Sequence, residues 1–128
     1  MHSTAPARVF LADDSRPIRA RVAALLRVHA VTVVGEAATP QACIAGILES
    51  QPQVVVLDVQ LQGGTGLEVL RAIRLAAPSI AFVVFTNNTA PAYRRRYLVE
   101  GATAFLDKST DFERLPLAIT DARDQRTH

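Results

Sequence analysis

The sequence predicts an α/β domain in which helices cover both faces of a parallel sheet, and three observations lead to this fold class. Short apolar runs alternate with helical patterns along the 128 residues. The runs 54–57 and 80–85 are apolar at every position, which is typical of strands that are buried on both faces. No linker rich in Pro, Gly or Ser divides the chain, so we expect one domain over residues 1–128 with its core at about 8–124.

Five strands that alternate with five helices predict a doubly wound (βα)5 arrangement with right-handed crossovers. The first strand, residues 8–12, is followed by an acidic turn and then by a helix. Ser15 is a good N-cap for this helix, and Pro17 suits its first turn. Apolar residues recur along it at helical spacing. The arginines that lie off this apolar stripe are Arg16, Arg19 and Arg27.

The remaining elements follow the same alternation, and each has a local signal at one of its ends. The predicted strands span 31–37, 54–57, 80–85 and 104–106. Of the remaining helices, the second begins after Thr39, the third spans 67–77, the fourth spans about 91–100 and the fifth begins after Asp111. Pro78 and Gly101 end the third and fourth helices, because proline and a C-terminal glycine both stop a helix.

The composition limits the classes of function. The apolar fraction is 49%, and no apolar run approaches the ~20 residues that a bilayer-spanning helix needs, so we expect a soluble protein without a membrane partner. A net charge of +2 is too small to indicate binding to nucleic acid. Cys43 is the one cysteine, which excludes an internal disulfide and agrees with a cytoplasmic location.

Polar residues stand at four of the predicted strand ends. Asp13 and Asp14 follow the first strand, Asp58 the third, Thr86 the fourth and Lys108 the fifth. The carboxyl ends of parallel strands form the ligand-binding edge of such sheets, and a strand order of 2-1-3-4-5 would bring the three acids together there. Three close carboxylates repel one another unless protons or a cation neutralise them, and oxygen ligands suit Mg²⁺ better than zinc. With a hydroxyl and an ammonium group nearby, this edge can hold a charged oxyanion, as in phosphoryl transfer.

This constellation resembles the receiver domains of two-component response regulators, over residues 8 to about 123. The resemblance depends on the pair Asp13 and Asp14, on Asp58 in LDVQLQGGTGLEVL, on Thr86, and on Lys108 in GATAFLDKS. It implies a flavodoxin-like (βα)5 fold with strand order 2-1-3-4-5, organised as a single receiver domain that works in the cytoplasm.

The resemblance also implies a chemical role for each strand end. Asp58 would be the phosphoacceptor and would take its phosphoryl group from a phosphohistidine of a histidine kinase or a histidine phosphotransfer protein. Asp14 would bind Mg²⁺ or Mn²⁺ directly and Asp13 partly through water, while Asp58 and the main-chain carbonyl of Gln60 would complete the ligands. Lys108 would pair with a phosphoryl oxygen, as an opposite charge should.

A switch follows from the same resemblance. Thr86 would contact the phosphoryl group and turn toward it, and Phe105 would turn inward with it. Asn87 and Asn88 would modulate access to the site. The fourth helix, fifth strand and fifth helix would then favour a downstream protein partner or a phosphorylation-dependent dimer. The contact candidates on the fourth helix are Arg94, Arg95 and Tyr97.

Three other functions stay open from the sequence. A Mg²⁺-dependent phosphohydrolase with an aspartyl nucleophile would use a similar set of groups, but its class places an Asp-x-Asp arrangement after the first strand, whereas Asp13 and Asp14 are adjacent. A flavodoxin-like cofactor binder would offer hydroxyl and amide groups to a phosphate in that loop, where these acids would repel it. A degenerate receiver would bind partners without phosphorylation, and the intact acids and Lys108 argue against it.

Overall fold

The structure, a computed structural model, describes residues 5–126, so the first four and last two residues of the predicted domain lie outside the described part. It confirms the predicted sheet. The strands of this sheet are β1 (Ala7–Ala12), β2 (Val31–Ala37), β3 (Val54–Leu57), β4 (Ala81–Thr86) and β5 (Ala104–Asp107). All neighbouring strands in it are parallel, and their order is β2-β1-β3-β4-β5.

Five helices cover the two faces of the sheet. They are α1 (Arg16–Val28), α2 (Pro40–Ser50), α3 (Gly66–Ala76), α4 (Pro91–Val99) and α5 (Leu115–Arg126). Two buried clusters result, because successive side chains of a strand point to opposite faces. Val55 and Leu57 pack in the cluster that includes residues of α2, α3 and α4, whereas Val54 and Val56 pack with α1 and α5. The β3 strand is therefore buried on both faces, as its composition predicts.

The helix starts agree with the capping signals in the sequence. The hydroxyl of Ser15 accepts a hydrogen bond from the N–H of Ile18 at 3.3 Å, and that of Thr39 accepts one from Ala42 at 3.1 Å. The last helix differs from its prediction. A 3₁₀ turn over Phe112–Arg114 precedes α5, and Asp111 accepts a hydrogen bond from the N–H of Asp107 at 2.9 Å instead of capping an α-helix.

The loop after β3 contains a feature that the sequence analysis does not predict. Gln60–Leu61 and Gly64–Thr65 form a short antiparallel hairpin. Gly63 has a positive φ of 79° at its turn, a conformation that glycine adopts without steric cost. The hairpin holds the chain that leaves Asp58 beside the start of α3.

Between residues 5 and 126, none of the helices has the length and apolar character that crossing a bilayer requires.

Candidate functional site

The predicted acids meet at the carboxyl edge of the sheet because their strands are paired in register. Ala12 of β1 lies opposite Leu57 of β3, and the N–H of Asp58 donates to the carbonyl of Ala12 at 2.9 Å. Asp13 and Asp58 therefore leave adjacent strands at the same level. On the other side of β3, Thr86 ends β4, and the main-chain N–H of Lys108 donates to its carbonyl at 3.0 Å.

Lys108 connects two of the three acids. Its Nζ lies 2.6 Å from Oδ2 of Asp13 and 2.8 Å from Oδ2 of Asp58. The three side chains are only 7–10% exposed, so solvent screens their charges weakly. Charges that are buried this far are tolerated when they are paired and hydrogen-bonded. The ammonium group thus holds the carboxylates of Asp13 and Asp58 together.

Burial changes the proton affinity of these groups. It raises the pKa of Asp13 above that of an ordinary aspartate, although the hydrogen bonds from Lys108 and from the N–H of Ser15 act in the opposite direction. Burial acts to lower the pKa of Lys108, but its hydrogen bonds to Asp13 and Asp58 outweigh this effect and leave that pKa raised. Lys108 is therefore a fixed cation at neutral pH, and the site favours additional positive charge beside Asp13.

Asp14 completes a set of oxygen ligands. Unlike Asp13 and Asp58 it is exposed, and one carboxylate oxygen from each of these three residues lies within 4.8 Å of the others. Three carboxylates facing one ammonium group leave an excess of negative charge that a divalent cation matches. Hard oxygen ligands with an open side for water fit Mg²⁺. Gln60 follows two residues after Asp58, and its N–H points to Oδ1 of that residue at 3.5 Å.

The residues expected to respond to a phosphoryl group surround the same edge. Thr86 is 2% exposed, and its hydroxyl accepts a hydrogen bond from the N–H of Asn88 at 3.1 Å. Asn87 and Asn88 are exposed beside it. Phe105 is already turned inward, since it is 6% exposed and its ring meets that of Tyr97 edge-on at 6.5 Å. Its role as a switch stays a prediction.

The position predicted for Tyr97 needs correction. Arg94 and Arg95 are exposed on α4, as expected, but Tyr97 is 2% exposed and points toward the sheet, where its hydroxyl lies 3.5 Å from the carbonyl of Val59. Burial raises the pKa of Tyr97 to about 12. Because a run of arginines directly precedes Tyr97 in the sequence, no apolar pattern shows which side of α4 faces the core. Packing against Phe105 determines that Tyr97 is on the buried side. Tyr97 belongs to the core and not to an exposed partner face.

Arg19 is a part of the site region that the sequence analysis does not identify. Instead of lying in solvent off the apolar stripe, it is 9% exposed. Its Nη1 donates to the main-chain carbonyl of Asp13 at 2.5 Å, and its Nε donates to Glu36 at 2.7 Å. One local signal was available. The first turn of α1 contains arginine and no acidic residue, although the helix dipole disfavours positive charge there.

One known family matches most of this chain. The family model described as "Response regulator receiver domain" matches residues 9–120. The chain belongs to this family. Receiver domains of this family are signalling phosphoacceptors and not catalytic enzymes. In this receiver domain, Asp13, Asp14, Asp58 and Lys108 form the acidic pocket and its cation.

Curated relatives extend beyond the length of this chain. The DNA-binding transcriptional activator DevR/DosR of Mycobacterium tuberculosis is 30% identical over 115 residues, which are 89% of this chain and 53% of the relative. The response regulator GacA of Pseudomonas aeruginosa is 29% identical over 113 residues, again covering 53% of its length. The chain thus spans about half the length of these curated relatives.

Solved structures of receiver domains superpose over nearly the whole chain. A two-component response regulator of the LuxR family from Aurantimonas sp. matches with a TM-score of 0.88 and 30% identity, covering 94% of this chain and 87% of its own. The receiver domain of the putative response regulator NarL from M. tuberculosis matches with a TM-score of 0.86 and 28% identity, covering 93% and 97%. The receiver fold is therefore shown by sequence and by structure.

Proposed function

We propose that this receiver domain accepts a phosphoryl group on Asp58 from a phosphohistidine of a histidine kinase or a histidine phosphotransfer protein. The contact of Lys108 with both Asp58 and Asp13 carries the proposal. It joins a carboxylate at a strand end to a buried cation and to a second acid in one pocket. A structural ion pair would need only one of the acids.

The proposed reaction is a simple displacement at phosphorus. A carboxylate oxygen of Asp58 forms a bond to the phosphorus atom while the bond between phosphorus and the imidazole nitrogen of the donor breaks. The imidazole leaves with the electron pair of that bond and takes up a proton. The product on this chain is an acyl phosphate. Lys108 is placed to balance the negative charge that the transferred group brings to the pocket.

Asp13, Asp14 and Asp58 are the residues that would hold Mg²⁺ or Mn²⁺, with the main-chain carbonyl of Gln60 as a further ligand. The oxygen ligands and the excess negative charge described above support this assignment. When bound, the cation would neutralise charge on the transferring phosphoryl oxygens.

The output is proposed to be a protein contact. Phe105 on β5 packs against Tyr97 of α4, and Thr86 ends the neighbouring strand β4. Arg94 and Arg95 are exposed on the same helix, α4. A phosphoryl group that contacts Thr86 better in one arrangement would shift the population of the face made by α4, β5 and α5 toward a downstream partner or a dimer. We propose that this receiver domain acts in the cytoplasm through protein contacts, without direct contact with nucleic acid or membrane.

The proposal is tested by incubation with Mg²⁺ and acetyl phosphate, followed by measurement of the intact mass. The unmodified chain should gain one phosphoryl group, and Asp58→Asn should gain none, because the amide cannot act as the nucleophile. Asp121→Asn, which changes an exposed aspartate on α5, is the matched control and should react as the unmodified chain does. Equal mass gain in Asp58→Asn would overturn the assignment of the phosphoacceptor.

A further inference from the structure

A buried arginine lies behind the acidic pair and contacts its backbone. Arg19 belongs to the first turn of α1, and side chains of a helix point back toward its N-terminus. This direction brings its guanidinium to the loop between β1 and α1. There Nη1 meets the carbonyl of Asp13 at 2.5 Å, while Nε meets Oε1 of Glu36 on β2 at 2.7 Å.

The carbonyl of Asp13 stands at a special place in the chain. Ala12 and Ala37 form the last residue pair between β1 and β2, so this carbonyl is the first one beyond that ladder. The N–H of Asp13 donates to Ala37 at 3.1 Å, and Arg19 supplies the donor on the carbonyl side. A buried carbonyl without such a donor would be costly.

The bond to Arg19 constrains both acids at once. The carbonyl of Asp13 and the N–H and Cα of Asp14 belong to one planar peptide unit. Holding the carbonyl oxygen therefore fixes the plane from which both side chains leave the backbone. Asp13 is also held through its carboxylate, which accepts from the N–H of Ser15 at 2.9 Å, whereas the side chain of Asp14 is exposed. The orientation of the peptide plane is thus most important for Asp14.

We infer that Arg19 is a positioning residue that fixes the peptide unit between Asp13 and Asp14 and thereby sets the affinity of the acidic pair for a divalent cation. This inference rests on the proposed metal-binding function. The planar fork of Arg19 donates from Nη1 to the carbonyl and from Nε to Glu36, and the point-like ammonium group of a lysine does not reproduce this fixed spacing of two donors. Residues that orient metal ligands from outside the coordination shell typically change metal affinity when they are replaced.

The chain offers a matched control at the opposite edge of the sheet. Arg123 is 7% exposed, donates to the main-chain carbonyl of Ala5 at 2.9 Å and pairs with Asp124 at 3.0 Å. It has the same chemistry as Arg19, namely a buried guanidinium shared between a carbonyl and an acid. It differs in lying at the amino edge, away from the acids.

The test compares Arg19→Lys with Arg123→Lys in the full chain. Mg²⁺ affinity is measured by titration calorimetry, and the melting temperature is measured without metal. Arg19→Lys should bind Mg²⁺ about tenfold more weakly, as expected for a lost orienting contact. Arg123→Lys should lower the melting temperature to a similar extent and keep the affinity of the unmodified chain. If Arg19→Lys does not fold, Glu36→Gln replaces it, since Glu36 is 45% exposed and its loss loosens the same fork.

Unchanged Mg²⁺ affinity in Arg19→Lys, or in Glu36→Gln where it replaces that variant, would overturn the inference and leave the proposed metal site intact. Equal weakening in Arg19→Lys and Arg123→Lys would also overturn it, because the effect would then follow from general stability. Failure of the unmodified chain to bind Mg²⁺ would overturn the proposed metal site itself, and this inference with it.

Discussion

Cationic side chains meet different partners at the two edges of the sheet. At the amino edge, Arg8 donates to two main-chain carbonyls at the end of α2, and Arg123 donates to one that precedes β1. At the carboxyl edge, Lys108 contacts the carboxylates of Asp13 and Asp58. The first arrangement completes hydrogen bonds of the backbone. The second keeps an excess of negative charge, which lowers stability unless a ligand compensates it.

The excess of negative charge at the carboxyl edge indicates that the function is located at this edge. A fold that needed only stability would pair the charged and polar groups at both edges in the same way. Local departures from full pairing concentrate at functional sites. The carboxyl edge should therefore respond to charge and to metal, and the amino edge should respond only through general stability.

Removal of the Lys108 ammonium group should produce the largest difference in the free energy of unfolding between variants of the two edges. Lys108→Met leaves Asp13 and Asp58 buried without their partner, so the free energy of unfolding in the absence of metal should fall by about 3–5 kcal/mol. Arg8→Met at the amino edge should cost about 1 kcal/mol, because it removes hydrogen bonds at an exposed helix end. Urea denaturation measures both values. Equal losses in the two variants would break the comparison.

The backbone near Asp58 should be the next most sensitive feature. A Cβ at Gly66 would overlap the main-chain oxygen of Asp58 and lie 3.1 Å from the side chain of Leu57. Gly66→Ala should therefore displace the phosphoacceptor loop, lower stability by about 1–3 kcal/mol and slow phosphorylation by acetyl phosphate. Gly63→Ala is the control. Its new methyl group meets no atom within 4 Å, but its positive φ costs about 1 kcal/mol, so stability should fall without a change in phosphorylation rate.

A substitution of Asp14, the exposed acid, should change the response to metal without lowering stability. Asp14→Asn replaces a charged ligand with a neutral amide and so removes one repelling charge from the pocket. The melting temperature without metal should therefore stay the same or rise slightly. The increase in melting temperature on addition of Mg²⁺ should be largely lost. Thermal denaturation with and without Mg²⁺ measures this, and Asp121→Asn should retain the full response. A full Mg²⁺ response in Asp14→Asn would place the metal elsewhere.

The smallest effect concerns a thiol below the carboxyl edge. Burial raises the pKa of Cys43 from 9.0 to about 12. In the unfolded chain the thiol loses its proton at the lower value, while the folded chain keeps it, so stability should fall as pH rises from 9.0 toward 12. Cys43→Ala should show a shallower decline over this range in urea denaturation. An identical pH profile for the two proteins would show that this thiol does not contribute.

The sequence predicts the sheet, and the residues that meet at its carboxyl edge, for a local reason. A strand ends where an apolar run meets a polar residue, so Asp13, Asp58 and Thr86 are visible from the pattern alone, and the parallel topology brings them to one edge. Arg19 and Tyr97 are different cases. Whether a helical residue faces solvent or the core depends on the packing of neighbouring elements, and a charged or amphipathic side chain gives no reliable local signal.

The same reason explains the smaller differences. Asp111 binds the backbone of Asp107 because β5 ends close to it in space, and this contact depends on the folded chain. The hairpin after β3 depends on a glycine conformation that the sequence allows but does not require.

We propose Asp58 as the phosphoacceptor, and this assignment is tested by locating the residue that carries the phosphoryl group. After reaction with acetyl phosphate and Mg²⁺, borohydride reduces an acyl phosphate to an alcohol and so marks the modified residue for peptide mass spectrometry. Trypsin releases residues 28–71 as one peptide, in which Asp58 is the one aspartate. We expect to find the reduced residue in this peptide, at Asp58. Reduction in the peptide that carries Asp13 and Asp14, with residues 28–71 unchanged, would contradict it.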